Sequence, residues 1–367
     1  MKNDHYAFMR LAMKAAEKAR GTCSPNPFVG AVLVNKGKVI ATGWTQPYGG
    51  DHAEVQALMK AGSEATGSDL YVTLEPCSHY GKTPPCTLSI ISAGVSRVFY
   101  GITDPNPLVN GNGCRQLEEA GIEVRSGVCA SDIERQLEYY LCRINNKRPF
   151  VTWKAALSLD GKYAANDGSS QWISGVSSRK LAHQLRQESD VVLTGIGTVL
   201  CDDPMLNVRL PRVKKHPLRA ILDARLQLPL ESKLCKTGDA FPTAVFCDKE
   251  SDRSEKASLL RDGGINVVPV STMGDKLDLS EILNYLHNQG KYSVLLECGS
   301  ALAASFWEKR LIDKAHIFYG AMILGGNKAI LGDLELTSIS DAIGLRIAKC
   351  RQVGQDVHIV AYPDYHL

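Results

Sequence analysis

The apolar positions of the first 150 residues alternate between helical and strand-like spacing. A helical repeat predicts an opening helix over residues 4–20, and two short apolar runs at 31–34 and 38–41 predict a β-hairpin. Helical and strand-like segments then follow one another. We predict helices at 52–61, 86–93, 112–120 and 137–148, and strands at 69–74, 97–102 and 122–124. This order predicts an α/β sandwich.

A second alternating pattern begins at Phe150, directly after Pro149. We predict strands at 190–194, 218–222, 243–247, 265–270, 292–297 and 315–319, and helices at 177–187, 279–289 and 300–309. A single core rarely grows past about 250–300 residues. The 367 residues therefore predict two α/β domains, which we place at 1–147 and 148–367.

Composition and charge narrow the class of protein. The chain is 44% hydrophobic and 22% charged, and its net charge of +3 comes from scattered residues. We expect no nucleic-acid partner, and we interpret the basic run 212–216 as a solvated loop. No apolar stretch approaches the roughly 18 residues of a membrane span. Eleven cysteines, without a signal peptide, predict a cytoplasmic protein with reduced thiols that are available for metal binding or catalysis.

One histidine and two cysteines form a pattern typical of a catalytic zinc site. His52 stands two residues before Glu54 at a helix start, while Cys77 and Cys86 each follow a proline. Zinc deaminases carry an H-x-E triplet followed by a P-C-x-x-C segment. This chain departs from that signature because the segment between its two cysteines, residues 78–85, is longer.

These residue types suit hydrolytic deamination. Three protein ligands leave the fourth zinc position to water, whose pKa falls from about 15.7 toward about 7. We therefore predict His52, Cys77 and Cys86 as metal ligands and Glu54 as the catalytic proton shuttle. The alternative is a structural zinc site with His79 as a fourth ligand, in which replacing Glu54 would change nothing.

Motifs along the whole chain resemble those of the bifunctional riboflavin biosynthesis protein RibD family. They are Pro25–Gly30, His52–Glu54, Thr73–Cys86, Asp104–Pro107, Lys154–Gly161, Ser170–Ser174, Asp202–Pro204 and Glu297–Gly299. That family joins a pyrimidine deaminase to a pyrimidine reductase and has the long segment between its cysteines. The resemblance implies a cytidine-deaminase-like α/β/α sandwich followed by a dihydrofolate-reductase-like α/β domain.

The resemblance also implies two consecutive reactions and two cofactors, Zn²⁺ and NADPH. The first reaction hydrolyses 2,5-diamino-6-(5-phosphoribosylamino)pyrimidin-4(3H)-one to 5-amino-6-(5-phosphoribosylamino)uracil. The second reduces the ribosyl side chain to ribityl. The partner is thus a small phosphorylated pyrimidine, and the resemblance suggests a homo-oligomer.

By analogy with the family, five residues would line the deaminase pocket: Asn26, His79, Lys82, Asp104 and Asn106. A lysine suits the substrate phosphate, and asparagine amides can bind ring edges through paired donor and acceptor groups. Asn26 lies between two prolines and also fits a simple turn cap. The family often has a histidine where this chain has Thr45, which leaves that contact open.

In the second half, a strand–glycine–helix junction at Gly299 offers backbone N–H groups to a phosphate. The resemblance implies that NADPH contacts Ala156, Trp172, Thr198, Asp202, Ala224, Gly299, Ser300, Ala301, Leu302, Ala303, Ala304 and Ser305. It implies that the reductase substrate contacts Ser170, Arg186, Leu206, Arg209 and Glu297. Two arginines suit a sugar phosphate because a guanidinium can bind it through two hydrogen bonds.

Lys154, at the end of a predicted strand, is our candidate proton donor for the reduction. For three residues a simpler interpretation stays open. Lys154 fits a surface ion pair, Arg186 a solvated helix face, and Trp172 the hydrophobic core. Two other functions also stay open at this stage: a single-function nucleoside or tRNA-type deaminase with an accessory domain, and a non-catalytic binding module with structural zinc.

Overall fold

The computed structural model describes residues 2–332 and 334–365. The chain forms two compact units, residues 1–148 and 149–367. Across the described ranges, no helix combines the length and the apolar character that crossing a membrane requires.

The first unit is built on a five-stranded sheet with the order β2-β1-β3-β4-β5. β1 is antiparallel to β2 and β3, whereas β3, β4 and β5 run parallel. Its strands are β1 Gly30–Asn35, β2 Lys38–Trp44, β3 Asp69–Leu74, β4 Arg97–Ile102 and β5 Glu123–Arg125. Its helices are α1 Lys2–Ala16, α2 Ala53–Ala61, α3 Cys86–Ser92, α4 Asn112–Glu119, α5 Ala130–Gln136 and α6 Glu138–Asn146.

Two glycines of the hairpin show that helices cover both faces of this sheet. Gly30 lies against α1, where an added Cβ would come 1.9 Å from the carbonyl oxygen of Ala12. Gly43 lies against α2, where an added Cβ would come 2.0 Å from the carbonyl oxygen of Ala53. Gly43 pairs with Ala31, the neighbour of Gly30, so the two glycines face opposite sides of the sheet. The hairpin is therefore enclosed between α1 and α2.

The second unit is built on a nine-stranded sheet with the order β10-β9-β8-β7-β13-β6-β14-β16-β15. Its strands are β6 Phe150–Ser158, β7 Val191–Gly195, β8 Leu218–Leu222, β9 Thr243–Cys247, β10 Asn266–Pro269, β13 Ser293–Leu296, β14 Lys314–Gly320, β15 Gly344–Val353 and β16 Asp356–Asp364. A separate small hairpin consists of β11 Thr272–Met273 and β12 Lys276–Leu277. Its helices are α7 Val176–Glu188, α8 Ile196–Asp202, α9 Lys233–Lys236, α10 Glu255–Asp262, α11 Leu279–Asn288 and α12 Ser300–Glu308.

The register of the central strands places Glu297 beside Lys154. β13 is parallel to both β6 and β7, and Leu296 pairs with Trp153 on one side and with Leu193 on the other. Glu297 follows at the carboxyl end of β13, next to Lys154 of β6. Ligands of parallel α/β sheets bind at such carboxyl ends.

In the first unit, the opening helix and the last helix differ from their predicted bounds. The opening helix ends at Ala16 rather than at residue 20, because the chain tightens into turns such as Ala19 N–H to Ala16 O, 2.9 Å. Ala19 is still buried, so the apolar repeat continued beyond the helix itself. The predicted helix 137–148 is part of a pair, α5 and α6, that meets at Leu137.

In the second unit, the sequence pattern missed three helices and two strand pairs. They are α8, α9, α10, the β11–β12 hairpin and the β15–β16 hairpin. β15 is exposed along almost its whole length on both faces, so its sequence lacks the apolar alternation of a half-buried strand.

Candidate active sites

Three predicted ligands converge in the first unit. The Nδ1 atom of His52 lies 3.5 Å from Cys77 Sγ and 3.3 Å from Cys86 Sγ. All three ligand atoms lie within 4.8 Å of one another. His79 does not belong to this cluster in the described part of the chain, so the alternative of a fourth ligand at His79 lacks support.

The starts of two helices position these ligands. His52 is the extended residue directly before α2, and Cys86 is the buried first residue of α3. The backbone N–H of Cys86 donates to Cys77 Sγ over 3.4 Å, and the N–H of Thr87 donates to the Cys77 carbonyl oxygen. The first turn of α3 therefore holds the loop that carries Cys77.

The hydrogen bonds among these ligands shift their pKa values. Hydrogen bonding from Cys86 lowers the pKa of Cys77, whereas the hydrogen bond with Cys77 raises the pKa of Cys86. The hydrogen bond with Cys77 raises the pKa of His52 to about 9. Without metal, these shifts favour the thiolate of Cys77 and the protonated forms of His52 and Cys86.

Glu54 lies in the first turn of α2 and is 4% exposed. Burial raises the pKa of its carboxyl group to about 7. A carboxyl group that titrates near neutral pH can both accept and return a proton.

A cavity of about 260 Å³ opens next to the ligand cluster. Its lining contains all five residues that the family resemblance implies: Asn26, His79, Lys82, Asp104 and Asn106. The Nδ1 atom of His79 is buried without a hydrogen-bond partner, which leaves it available to a ligand. Lys82 lies above the ring of Tyr48, with Nζ 4.3 Å from the ring centroid.

Thr45 has a structural role in this pocket. Its hydroxyl accepts from Val29 N–H over 2.9 Å and donates to the Pro27 carbonyl oxygen over 3.0 Å. It therefore fastens the loop that carries Asn26 to the end of β2.

Sequence reasoning missed several residues around this cavity. Tyr140 donates to Asp104 Oδ1 over 2.7 Å, and Arg143 donates to the Pro25 carbonyl oxygen over 2.8 Å. Both side chains come from α6, more than thirty residues from their partners, so no local spacing could reveal them. Glu75, directly before Pro76-Cys77, was also missed.

A much larger cavity, of about 1240 Å³, lies in the second unit. It contains Lys154 and Glu297 together with nearly all of the residues implied to contact NADPH or the reductase substrate. These are Ala156, Ser170, Trp172, Arg186, Thr198, Asp202, Leu206, Arg209, Ala224, Gly299, Ser300, Ala301, Leu302 and Ser305.

Charged side chains form a connected cluster in this cavity. Arg186 binds Glu297 through two hydrogen bonds, and Lys154 Nζ lies 3.9 Å from Glu297 Oε2. Burial opposes ionisation of Glu297, but the Arg186 guanidinium outweighs it and holds the Glu297 pKa at about 2. Burial lowers the pKa of Lys154, against the attraction of Glu297.

Two residues implied to contact NADPH do not line the cavity. Ala303 and Ala304 are 0% and 2% exposed and pack in the core. Ala303 lies on the side of α12 opposite to Ala301, Leu302 and Ser305, which line the cavity. Their contact with NADPH stays a prediction, which the cavity lining does not support.

The simpler interpretations of Trp172 and Arg186 are wrong. Trp172 is 61% exposed and is not part of the core, and the guanidinium of Arg179 lies 4.5 Å from its ring centroid. Arg186 is buried and ion-paired rather than solvated. Sequence reasoning also missed His183, which lies between Arg186 and Arg209 and accepts from Arg209 N–H over 3.4 Å.

Comparisons with known proteins match each half of the chain to a protein family. Residues 2–102 match the family model of the cytidine and deoxycytidylate deaminase zinc-binding region, and residues 149–359 match that of the RibD C-terminal domain. The riboflavin biosynthesis protein RibD of Aquifex aeolicus is 41% identical over 352 residues, which cover 96% of each chain. The Bacillus amyloliquefaciens RibD is 40% identical and covers 97% of this chain and 95% of its own. This chain belongs to the RibD family.

Solved RibD structures share the fold over the full length. Acinetobacter baumannii RibD superimposes with a TM-score of 0.89 at 32% identity, covering 99% of this chain and all of its own. A deaminase/reductase from Thermotoga maritima gives a TM-score of 0.89 at 33% identity and covers 99% of both chains. The predicted fold class is therefore confirmed. This RibD family member is a bifunctional deaminase and reductase of riboflavin biosynthesis, as the sequence predicted.

The residues of both sites fit the cofactors of the RibD family, Zn²⁺ and NADPH. One imidazole nitrogen and two thiol sulfurs match the ligands that zinc takes in catalytic sites. In the second cavity, Gly299 has open space where a side chain would stand, directly before the first turn of α12. A helix start without a covering side chain accommodates a phosphate group. The cavity volume exceeds the about 300–1,000 Å³ of single-ligand sites, which suits a coenzyme and a substrate together.

Proposed function

We propose that the first unit deaminates 2,5-diamino-6-(5-phosphoribosylamino)pyrimidin-4(3H)-one and that the second unit reduces the ribosyl group of the product with NADPH. The proposal is carried by one observation: His52, Cys77 and Cys86 converge beside buried Glu54, in a cavity separate from the one that contains Lys154. Two separate cavities with different chemistry suit two consecutive reactions.

In the deaminase site, His52, Cys77 and Cys86 would hold the zinc ion. Bound zinc supplies Lewis acidity, which makes water acidic enough to act as a nucleophile near neutral pH. Glu54 accepts the proton of the attacking water and returns it to the leaving nitrogen, which departs as ammonia. Its buried carboxyl group, with a pKa raised to about 7, suits both transfers.

The other cavity residues orient the substrate. The amides of Asn26 and Asn106 offer a paired donor and acceptor to the pyrimidine edge. The unpartnered Nδ1 of His79 offers a further contact, and the Lys82 ammonium binds the phosphate. Because the ring of Tyr48 contacts the Lys82 ammonium, that ammonium is held at the cavity before the substrate arrives.

In the reductase site, the start of α12 near Gly299 and Ser300 would hold the phosphates of NADPH. When bound, NADPH would supply the hydride that reduces the anomeric carbon of the opened sugar, an aldehyde or imine. Lys154 donates a proton to the developing alkoxide or amine. Glu297 holds that ammonium in place, and burial makes its proton easier to release.

The substrate phosphate in the reductase site binds Arg209 and Arg186. Glu297 already balances the charge of Arg186, so Arg209 carries the less compensated positive charge. The Arg209 guanidinium donates to Asn207 Oδ1 over 2.9 Å, which restricts its position in the cavity. We further propose that the enzyme acts in the cytoplasm as a homo-oligomer.

A coupled assay tests both reactions in one cuvette. Supplied with the diaminopyrimidine and NADPH, the wild type should release ammonia and then oxidise NADPH. Glu54→Gln should keep its zinc and lose ammonia release by at least about a hundredfold. The same variant should oxidise NADPH normally when given the aminouracil product. Ammonia release without any NADPH oxidation by the wild type would point instead to a single-function deaminase.

A further inference from the structure

The carboxylate of Glu75 links the loop of a zinc ligand to the loop of two substrate residues. Glu75 follows β3 and directly precedes Pro76 and Cys77, and its side chain is buried. Oε2 accepts from the backbone N–H of Asp104 over 3.2 Å and of Gly111 over 3.0 Å. Oε1 accepts from Gly113 N–H over 3.1 Å.

The start of α4 is part of the same arrangement. Cys114 N–H is a further donor to Glu75 Oε1, at 3.4 Å, so two N–H groups of the first turn of α4 bind one carboxylate. A Cβ at Gly113 would lie 2.1 Å from the Pro76 carbonyl oxygen. The helix start thus packs directly on the residue before Cys77, at a position that has no room for a side chain.

The segment held in this way carries the residues that face the cavity. Asp104 Oδ1 accepts from its neighbour Asn106 N–H over 2.9 Å and from Tyr140 Oη over 2.7 Å. Glu75 fixes the backbone of Asp104, and the Asp104 side chain in turn fixes Asn106. Hydrogen bonds therefore connect the loop of Cys77, through Glu75 and Asp104, to Asn106.

We propose that Glu75 is a positioning residue of the deaminase reaction, which sets the distance between the zinc ligands and the Asp104–Asn106 loop. This inference rests on the proposed substrate role of Asn106. A carboxylate suits this task because its two oxygens together accept four N–H donors, which no neutral side chain of the same length can do.

Glu75→Gln tests the inference with little change of shape. The amide nitrogen that replaces one oxygen faces two N–H donors, so the loop must shift. We expect the KM for the diaminopyrimidine to rise by about ten- to a hundredfold, with a smaller change in kcat. Zinc content should stay at the wild-type level, and so should NADPH oxidation with the aminouracil. Glu119→Gln, on the exposed face of the same helix, is the matched control and should behave as the wild type.

Asn106→Ala separates failure of this inference from failure of the proposed function. If Asn106→Ala leaves KM unchanged, the proposed role of the loop is wrong. If Asn106→Ala raises KM but Glu75→Gln does not, only the inference about Glu75 is overturned. In the variant that combines Glu75→Gln with Asn106→Ala, the two increases in KM should be less than multiplicative, since Glu75 acts through Asn106. Fully independent increases would show that Glu75 does not act through Asn106.

Loss of zinc and of both activities in Glu75→Gln would show a general structural role and would also overturn the inference. Should Glu75→Gln not fold, Glu75→Asp carries the same test, because it keeps the charge and shortens the side chain by one methylene. We then expect a smaller rise in KM with zinc retained, and an unchanged KM would overturn the inference.

Discussion

Arg186 and Glu297 form a bidentate ion pair inside the reductase cavity, with Nε 2.6 Å from Oε1 and Nη2 3.0 Å from Oε2. Both side chains are mostly buried, at 13% and 12% exposure. Arg186 comes from α7 and Glu297 from the end of β13, so the pair connects a helix to the central sheet. Removing one partner of such a pair leaves a buried charge uncompensated.

Glu297→Gln should therefore destabilise the protein in a pH-dependent way. The pKa of Glu297 falls from 4.5 to about 2 on folding, so its contribution to stability is complete above about pH 4.5. That contribution, at most about 3 kcal/mol, is lost as the pH falls toward 2. Urea unfolding of both proteins between pH 7 and pH 3 measures it. A difference in stability that does not shrink with falling pH would contradict this account, and Glu308→Gln is the exposed control.

Lys154→Met should slow NADPH oxidation by at least about tenfold, because the variant keeps the length of the side chain and loses its proton. Ammonia release from the diaminopyrimidine should stay unchanged, since Lys154 lines only the cavity of the second unit. Lys180→Met, an exposed substitution on α7, serves as the control. Normal NADPH oxidation in Lys154→Met would remove Lys154 from the mechanism.

Zinc affinity should fall steeply as the solution becomes more acidic. In the metal-free cluster His52 has a pKa of about 9 and Cys86 has a raised pKa, so both are protonated at neutral pH. Zinc must displace these protons, and binding should release them to solution. Calorimetric titration with zinc in buffers of different ionisation enthalpy measures the release. Zinc binding without proton release at pH 7 would show that the ligands are already deprotonated.

Ala303→Val should destabilise the fold by about 1–3 kcal/mol, because an added side chain has no room in a packed core. The dissociation constant for NADPH should change little, since Ala303 lies on the far side of α12 from the cavity. Fluorescence titration with NADPH, below the unfolding temperature of the variant, checks this. A large loss of NADPH affinity in a folded variant would show that Ala303 does contribute to the coenzyme site.

The zinc cluster and Glu54 were predictable because the sequence marks them locally. His52 and Cys86 stand at helix starts, and the prolines before Cys77 and Cys86 mark the loops that bring the sulfurs together. Glu75 has no such mark. Its partners are backbone N–H groups 29 to 39 residues away, and backbone groups leave no residue type to recognise.

In the second unit, the family resemblance identified the cavity residues but not their orientation. A continuous range, 299–305, was expected to contact NADPH, although a helix presents only every third or fourth residue to one side. Helical periodicity places Ala303 on the far side of the helix when Leu302 and Ser305 face the cavity. The Arg186–Glu297 pair joins residues 111 positions apart, so only the folded sheet reveals it.

X-ray absorption spectroscopy at the zinc edge tests the central claim most directly, because it counts the sulfur ligands of the loaded enzyme. With His52, Cys77 and Cys86 as the only protein ligands, we expect two sulfurs at about 2.3 Å and one imidazole nitrogen at about 2.0–2.1 Å. Cys77→Ser should reduce the sulfur count or release the metal. A third sulfur, a second imidazole or no sulfur at all in the wild type would contradict a catalytic zinc site with an open position.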